Sequence, residues 1–243
     1  MQHIPSPTFA RHRTTGTNQR FNPTLCRGRV YCAIPLTRAA QRGLTWALGS
    51  LLPEGCLLAQ HFKTFCNDWL SKAKEYDDQS LEGCYDKFFT LFVVFNRLYA
   101  EATFELARRQ VITIQANRPL PDRKGATEYT LLFVGQDDFD QLIEEQLASE
   151  VAELARLIED EHFHIKLSAP NGDPQREKDQ SLLRDLRSRG KTRALAVLDV
   201  VYSIRCNLFH GHKAFQQVQA ELLRPAIRVV YQVVHALLRA HGA

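Results

Sequence analysis

Residues 205–213 bring together two side chains that can do chemistry, the cation Arg205 and, five positions later, His210, which can donate a proton. Upstream, apolar residues at 197, 198, 200, 201, 204 and 208 follow helical spacing and predict a helix that is buried on one side. Asn207 lies between the two side chains, and Gly211 follows directly. Histidine titrates near neutrality and can move protons, whereas the planar guanidinium can bind two phosphate oxygens at once.

The spacing of these residues limits how they can meet. On an ideal helix Arg205 and His210 lie about 140° apart, whereas Asn207 and His210 share a face. Either the last turn unwinds before Gly211, which can adopt a positive φ, or a second copy of the chain completes the site. Both alternatives put His210 at the negative end of the helix, which favours the imidazolium. A simpler interpretation is that His210 caps the helix and Arg205 is a surface charge.

Two stretches of the chain resemble one known superfamily. Residues 205–213 read Arg-Cys-Asn-Leu-Phe-His-Gly-His-Lys and resemble the signature of the HEPN superfamily, in which an arginine, four to six residues and a histidine close a long helix. Residues 88–99 read Phe-Phe-Thr-Leu-Phe-Val-Val-Phe-Asn-Arg-Leu-Tyr and resemble the opening helix of that superfamily. The matches occur in the expected order, with another predicted helix between them, and the chain is similar to HEPN-domain ribonucleases and toxins.

The resemblance implies a mainly α-helical, HEPN-like bundle that forms homodimers. In catalytic members the two Arg/His pairs form one composite site that cleaves RNA without a metal. Carried over, Arg205 would hold the scissile phosphate and His210 would handle protons, with Asn207 and Asn96 as supporting polar groups. No cofactor and no metal are expected. Asn96 lies within an apolar helical stretch, so its amide either ties helices together or points into the site.

Two positions depart from the pattern of the superfamily. The residue after the arginine is often polar and is Cys206 here, so its hydrogen bond is missing or is taken over by Asn207. One subgroup has a tyrosine two residues after the histidine, where a partner enzyme adds a nucleotide. His212 occupies this position here, which argues against that mode of control.

By resemblance, the chain is a metal-independent endoribonuclease that leaves 2′,3′-cyclic phosphate and 5′-OH ends, in the setting of a toxin or an antiphage defence effector. DNA lacks the attacking 2′-OH and should not be cut. The alternative is a non-catalytic helical dimer that binds RNA, a nucleotide or a protein partner. A third possibility is the harmless partner of a toxin–antitoxin pair. The expected partners are RNA, a second copy and an antitoxin or sensor protein, and no membrane is expected.

The composition is ordinary for a globular protein, but the charge is uneven. Of the 243 residues, 44% are hydrophobic and 24% are charged, with a net charge of +4. Residues 1–53 contain seven arginines and neither lysine nor acid, so the remaining residues carry −3. Attraction for nucleic acid would therefore come from this first segment or from local patches.

Cysteine spacing and hydropathy indicate a cytoplasmic protein. The six cysteines form no Cys-x-x-Cys pair and no metal-ligand cluster, which is typical of reduced thiols. His162 and His164, two residues apart, lack a further ligand cluster, so we expect no metal there. No run approaches the roughly 18 apolar residues that span a bilayer, and the start of the chain lacks the apolar stretch of a secretory signal.

The elements divide into an arm and a domain. Residues 1–36 predict a basic, disordered arm and residues 37–243 a HEPN-like helical domain with its core motifs in 81–240. We expect helices at about 37–52, 54–73, 81–109, 137–160, 182–190, through the signature stretch and at 215–240, with Pro225 kinking or dividing the last one. β-branched residues at 111–115 and 127–134 bracket a loop at 117–125 and predict an inserted β-hairpin.

Overall fold

Helices dominate the computed structural model, which describes residues 60–115, 119–168, 171–209 and 216–242. In chain order the elements are α1 (Gln60–Glu75), α2 (Leu81–Arg108), α3 (Asp122–Lys124), a π-helical turn (Gly125–Tyr129), α4 (Thr130–Val134), α5 (Gln136–Gln146), α6 (Ala148–Glu159), α7 (Arg176–Leu186), α8 (Lys191–Phe209) and α9 (Gln219–Ala240). Extended pairing in these ranges is limited to an isolated antiparallel bridge between Leu167 and Pro174. The mainly α fold class is confirmed for this part of the chain.

Several predictions concern residues outside these described ranges. The arm at 1–36, the helix expected at 37–52 and residues 210–213 of the signature stretch lie outside the described residues. The helix expected at 54–73 corresponds to α1, and the one expected at 81–109 is confirmed as α2. None of the described helices is both long and apolar enough to span a bilayer.

The start of α2 is fixed by local polar contacts. The Ser80 hydroxyl caps the helix by accepting a hydrogen bond from the Gly83 N–H at 3.0 Å, a contact that typically contributes about 1 kcal/mol. The Asp77 carboxylate accepts hydrogen bonds from the backbone N–H groups of Gln79 and Ser80, which lowers its pKa. A Cβ at position 83 would lie 2.5 Å from the Asp77 carbonyl oxygen, so only glycine fits there.

The central packing unit is the pair of long helices α2 and α9. These two helices pack more extensively than any other pair among the described residues. Phe88, Leu91, Phe95 and Leu98 of α2 are almost fully buried in this core. α9 continues through Pro225, so this proline does not divide the helix. Burial of the apolar faces on both sides of the proline outweighs the one backbone hydrogen bond that proline cannot donate.

The predicted β-hairpin is wrong, because residues 127–134 form the π-helical turn and α4. Thr127 donates its hydroxyl to the Arg123 carbonyl and Thr130 donates to the Gly125 carbonyl, both at 2.8 Å. These hydroxyls are thereby satisfied in the interior, where Thr130 is completely buried. Tertiary burial outweighs the β-preference of branched residues.

The helix predicted from Asp137 or Asp138 to about 160 is two helices. α5 and α6 are separated at Leu147, which has φ −127° and ψ 5° and a fully buried side chain. α5 is preceded by Gly135 at φ 101° rather than by a capping aspartate. The short helix expected at 182–190 is α7, which begins earlier and ends at Leu186. Local spacing cannot reveal such a break, because the apolar face continues across it.

α8 carries the arginine of the signature stretch. Its side chains at Val197, Leu198, Val200, Val201 and Ile204 are buried and Leu208 is half-buried, which confirms the predicted apolar face up to the last turn. α7 packs against α8, and the π-helical turn contacts both α2 and α8. The helical segment that begins at Asp122 is therefore placed between the two stretches that carry the resemblance.

Candidate functional site

Arg205 lies one turn before the end of α8, and its guanidinium rests on two aromatic rings. The guanidinium carbon is 4.6 Å from the centroid of Phe209 and 5.6 Å from that of Phe92. Nη1 lies 3.8 Å from Oδ2 of Asp122, and 24% of the side chain is exposed. Nε is buried and has no acceptor among the residues that the structure describes. The two rings and the carboxylate thus limit where the guanidinium can lie without fixing its orientation.

Two tyrosines hold the carboxylate beside Arg205. Tyr99 of α2 donates its hydroxyl to Oδ1 of Asp122, and Tyr202 of α8 donates to Oδ2 at 2.9 Å. Burial, and then these hydrogen bonds, raise the pKa of both tyrosines. Both phenols therefore stay protonated near neutral pH and act as donors. We refer to Asn96, Tyr99, Asp122, Tyr202 and Arg205 as the Arg205 cluster.

Asn96 joins the cluster through Tyr99. The amide oxygen of Asn96 lies within hydrogen-bonding distance of the Tyr99 hydroxyl, and Asn96 itself is exposed. A hydroxyl has one hydrogen, so Tyr99 donates to one acceptor at a time, and the charged carboxylate is the stronger acceptor. Among the described residues, Asn96 is therefore linked to Arg205 through Tyr99 and Asp122 and makes no direct hydrogen bond to it.

Asn207 points to a different part of the molecule. Its side-chain nitrogen donates to the carbonyl of Ile165 at 2.9 Å, and the residue is buried. Two residues correspond to about 200° on a helix, so Asn207 and Arg205 project from opposite sides of α8. The amide ties α8 to the segment that follows α6.

Cys206 is the third polar side chain of the signature stretch that the structure describes, after Arg205 and Asn207. Its sulfur lies 3.9 Å from Nη1 of Arg205, and a thiol sulfur is only a weak acceptor. His210, Gly211 and His212 are outside the described residues, so the position of His210 relative to Arg205 stays a prediction.

A second polar cluster anchors the segment next to Asp122. Lys166 donates to the carboxylate of Asp199 and, at 2.9 Å, to the hydroxyl of Ser203. Arg123 donates to the other oxygen of Asp199. Burial is the main effect on Lys166 and lowers its pKa, which Asp199 opposes. Because Asp122 and Arg123 both contact α8, the start of α3 is fixed to that helix by two adjacent side chains.

Exposed apolar side chains lie along α2 and at the end of α8. Phe209 is 62% exposed, and Val93 and Phe104 of α2 are 37% and 47% exposed. The rings of Phe89 and Phe209 meet edge to face at 5.2 Å. We call Phe89, Val93, Phe104 and Phe209 the outer apolar strip. Because Phe209 also supports Arg205, the strip borders the Arg205 cluster.

The two histidines after α6 are engaged in local contacts. Nδ1 of His164 lies 3.2 Å from Asp179, and the other carboxylate oxygen of Asp179 accepts the backbone N–H groups of Ile165 and Lys166. Nε2 of His162 lies 3.9 Å from Glu221. Among the described residues no three His, Cys, Asp or Glu side chains converge as a metal site. These contacts give His164 a structural partner.

The cluster contains residues that the sequence did not indicate as functional. Asp122 lies in a stretch that predicted a loop, and Tyr202 is separated from it by 80 residues. One local signal was present. Asp199, Tyr202, Ser203 and Cys206 recur at helical spacing within an otherwise apolar helix, which indicates a polar face that needs partners.

Comparison of the chain with known protein families, curated proteins and solved structures finds no match.

Proposed function

We propose that this protein is a metal-independent endoribonuclease in which Arg205 and His210 of two copies act on one phosphodiester. The observation that carries the proposal is the state of Arg205. Its guanidinium is braced by Phe92, Phe209 and Asp122, while 24% of the side chain stays exposed and can meet a ligand. Two N–H groups of a guanidinium can bind two phosphate oxygens at once.

The reaction needs only proton transfer and charge stabilisation. A ribose 2′-OH loses its proton to a base and attacks the adjacent phosphorus, and the bond from phosphorus to O5′ breaks. The products are a 2′,3′-cyclic phosphate and a 5′-OH, whose oxygen receives a proton from an acid. Histidine suits either proton transfer because it titrates near neutrality. Arg205 would stabilise the charge that builds on the non-bridging oxygens.

A homodimer is supported by the outer apolar strip. Val93, Phe104 and Phe209 are exposed apolar side chains, and Phe209 also contacts Arg205; exposed apolar side chains near a site can mark a surface where a second chain packs. Since Arg205 and His210 diverge by about 140° on a continuous helix, a second copy packed on this strip can supply the group that one chain cannot.

The proposal is tested by measuring RNA cleavage by the full chain in the presence of a chelator. We expect wild-type protein to produce 2′,3′-cyclic phosphate ends and to leave DNA intact. Arg205→Ala and His210→Ala should each reduce the rate by at least about 100-fold, because each removes a group needed in the transition state.

Matched controls remove the same residue types elsewhere. Arg228→Ala and His162→Ala change exposed side chains outside the Arg205 cluster. Arg228 lies 3.7 Å from Glu150, and His162 lies 3.9 Å from Glu221. Both variants should cleave at the wild-type rate. Cleavage retained by both Arg205→Ala and His210→Ala would overturn the proposal.

A second candidate is a non-catalytic helical dimer that binds RNA, a nucleotide or a protein. Its protein-binding form is favoured by the carboxylate of Asp122 close to Arg205 and by the net charge of −3 beyond residue 53, since both oppose binding of a polyanion. Expression in a host separates the two candidates. Toxicity that is lost in His210→Ala supports the nuclease and a toxin or antiphage role, whereas equal tolerance supports the binding protein. Co-purification with an antitoxin or sensor protein would be compatible with either.

A further inference from the structure

The carboxylate of Asp122 is immobilised on both of its oxygens. Tyr99 holds Oδ1, and Tyr202 holds Oδ2 at 2.9 Å. The tyrosines come from α2 and α8, and Tyr99 is only 4% exposed. Although 45% of the Asp122 side chain is exposed, the carboxylate cannot turn without breaking hydrogen bonds to both of its charged oxygens. It is therefore a fixed negative charge.

The backbone beneath this carboxylate is fixed as well. Arg123, the next residue, donates to Asp199 of α8. Two residues further on, Gly125 lies so close to Tyr99 that a Cβ would approach its ring to 3.0 Å. The segment that carries Asp122 is thus clamped between α2 and α8.

Arg205 has fewer constraints than the carboxylate beside it. Its two aromatic supports lie at 4.6 Å and 5.6 Å from the guanidinium carbon, and the nearer one, Phe209, is largely exposed at the end of α8. Stacking on a ring limits tilt but permits sliding. The Asp122 carboxylate, 3.8 Å from Nη1, attracts one edge of the guanidinium and so orients it within the plane in which the rings let it slide.

We propose, on the basis of the nuclease function above, that Asp122 is a positioning residue that orients the Arg205 guanidinium toward the scissile phosphate. The carboxylate attracts Nη1, which leaves the other guanidinium N–H groups to meet the phosphate oxygens. Tyr99 and Tyr202 act through Asp122 by fixing its two oxygens. The transition state needs this orientation more than the bound substrate does, because charge builds on the phosphoryl oxygens as the reaction proceeds.

The proposal predicts opposite effects on binding and on turnover. Asp122→Asn preserves shape but removes a negative charge, so RNA should bind at least as tightly as to the wild type. Loss of orientation should lower kcat by about 10- to 100-fold, the cost typical of a small misplacement. A merely structural defect would reduce the fraction of folded protein instead, without this split between KM and kcat.

The experiment compares kcat and KM for a short single-stranded RNA in wild type, Asp122→Asn, Arg205→Ala and the double variant. Asp122→Asn should lower kcat with KM unchanged or lower, and it should have no further effect in the Arg205→Ala background, because the two residues act as one unit. Glu128→Gln is the matched control: it removes one negative charge from the same segment, where Glu128 is exposed, and it should not change kcat.

The failures of the two proposals are distinguishable. If wild type cleaves, Arg205→Ala does not, and Asp122→Asn keeps the wild-type kcat, only the role of Asp122 is overturned. If Arg205→Ala cleaves as well as the wild type, both proposals fall. Should Asp122→Asn unfold, Tyr202→Phe removes one of the two hydroxyls that hold the carboxylate and should lower kcat about threefold at unchanged KM; an unchanged kcat would then overturn the positioning role.

Discussion

At the scale of single residues, the side chains of the signature stretch divide between the candidate site and the framework. Arg205 contacts Asp122 and two aromatic rings, whereas the Asn207 amide donates a hydrogen bond to the Ile165 carbonyl. The resemblance gives Asn207 a supporting role in the chemistry. Its hydrogen bond gives it a role in holding α8 to the segment after α6.

Replacing Asn207 with alanine should mainly reduce stability. The change leaves a buried carbonyl of Ile165 without its donor, which costs about 1–3 kcal/mol of the free energy of unfolding. Chemical denaturation measures this change. Asn67→Ala, at an exposed position of α1, serves as the control and should change stability by less than about 0.5 kcal/mol. A large loss of cleavage with unchanged stability would instead place Asn207 in the chemistry.

At the scale of elements, three helices meet at the Arg205 cluster. α2 contributes Asn96 and Tyr99, α3 contributes Asp122, and α8 contributes Tyr202 and Arg205. The π-helical turn after α3 packs its Gly125 against the ring of Tyr99, and π-helical turns are frequent at functional sites. The geometry of the cluster therefore depends on how closely this turn approaches α2.

Gly125→Ala should destabilise the protein although alanine favours helices. The added Cβ would lie 3.0 Å from Tyr99 and 3.4 Å from the Thr103 hydroxyl. Tyr99 is buried and bonded to Asp122, so it can move only by disturbing the cluster, and overpacking of this kind costs about 1–3 kcal/mol. Thermal unfolding measures the effect.

Lys124→Ala is the control for this change, because it alters the neighbouring exposed residue. We expect near wild-type stability for that variant and a lower kcat for Gly125→Ala through displacement of Tyr99. A Gly125→Ala protein as stable as the wild type would show that the turn can shift away from α2.

At the scale of the whole molecule, the proposed function requires surfaces on which RNA and a second copy would bind. Beyond residue 53 the chain carries −3, so RNA would have to be attracted by local groups such as Arg205 or by the arginine-rich first segment. The outer apolar strip offers a surface for a second copy next to those local groups.

Val93→Glu and Phe104→Glu should abolish self-association and cleavage together. Each places a charge in the outer apolar strip, where it would be desolvated in a dimer, at a cost of several kcal/mol. Sedimentation or light scattering measures the mass, and circular dichroism checks that the monomer keeps its fold. Leu132→Glu changes a comparably exposed apolar residue of α4, which is 50% exposed, and should leave both mass and cleavage unchanged.

Mixing inactive variants tests whether two copies share one site. Arg205→Ala and His210→Ala proteins, denatured and refolded together, should regain part of the activity if the arginine of one copy works with the histidine of the other. No regain of activity in verified mixed dimers would contradict the composite site, and cleavage by a monomer would do the same.

The amino-acid sequence by itself determined the helical class and the positions of the long helices. Apolar spacing predicted α2 and α9 within a few residues, because periodic burial over many turns is a strong signal. It also singled out Arg205, Asn207 and Asn96 as polar groups in apolar surroundings that require partners.

Only the tertiary structure decided which polar groups meet. It directed Asn207 to Ile165, turned the predicted hairpin into helix, and brought Asp122 to Tyr99 and Tyr202 across 23 and 80 residues of chain. A local pattern records which face of an element is buried, but not which distant element covers it. For that reason the pairing of Arg205 with Asp122 is a property of the folded chain, set by how the segment after residue 121 is wedged between α2 and α8.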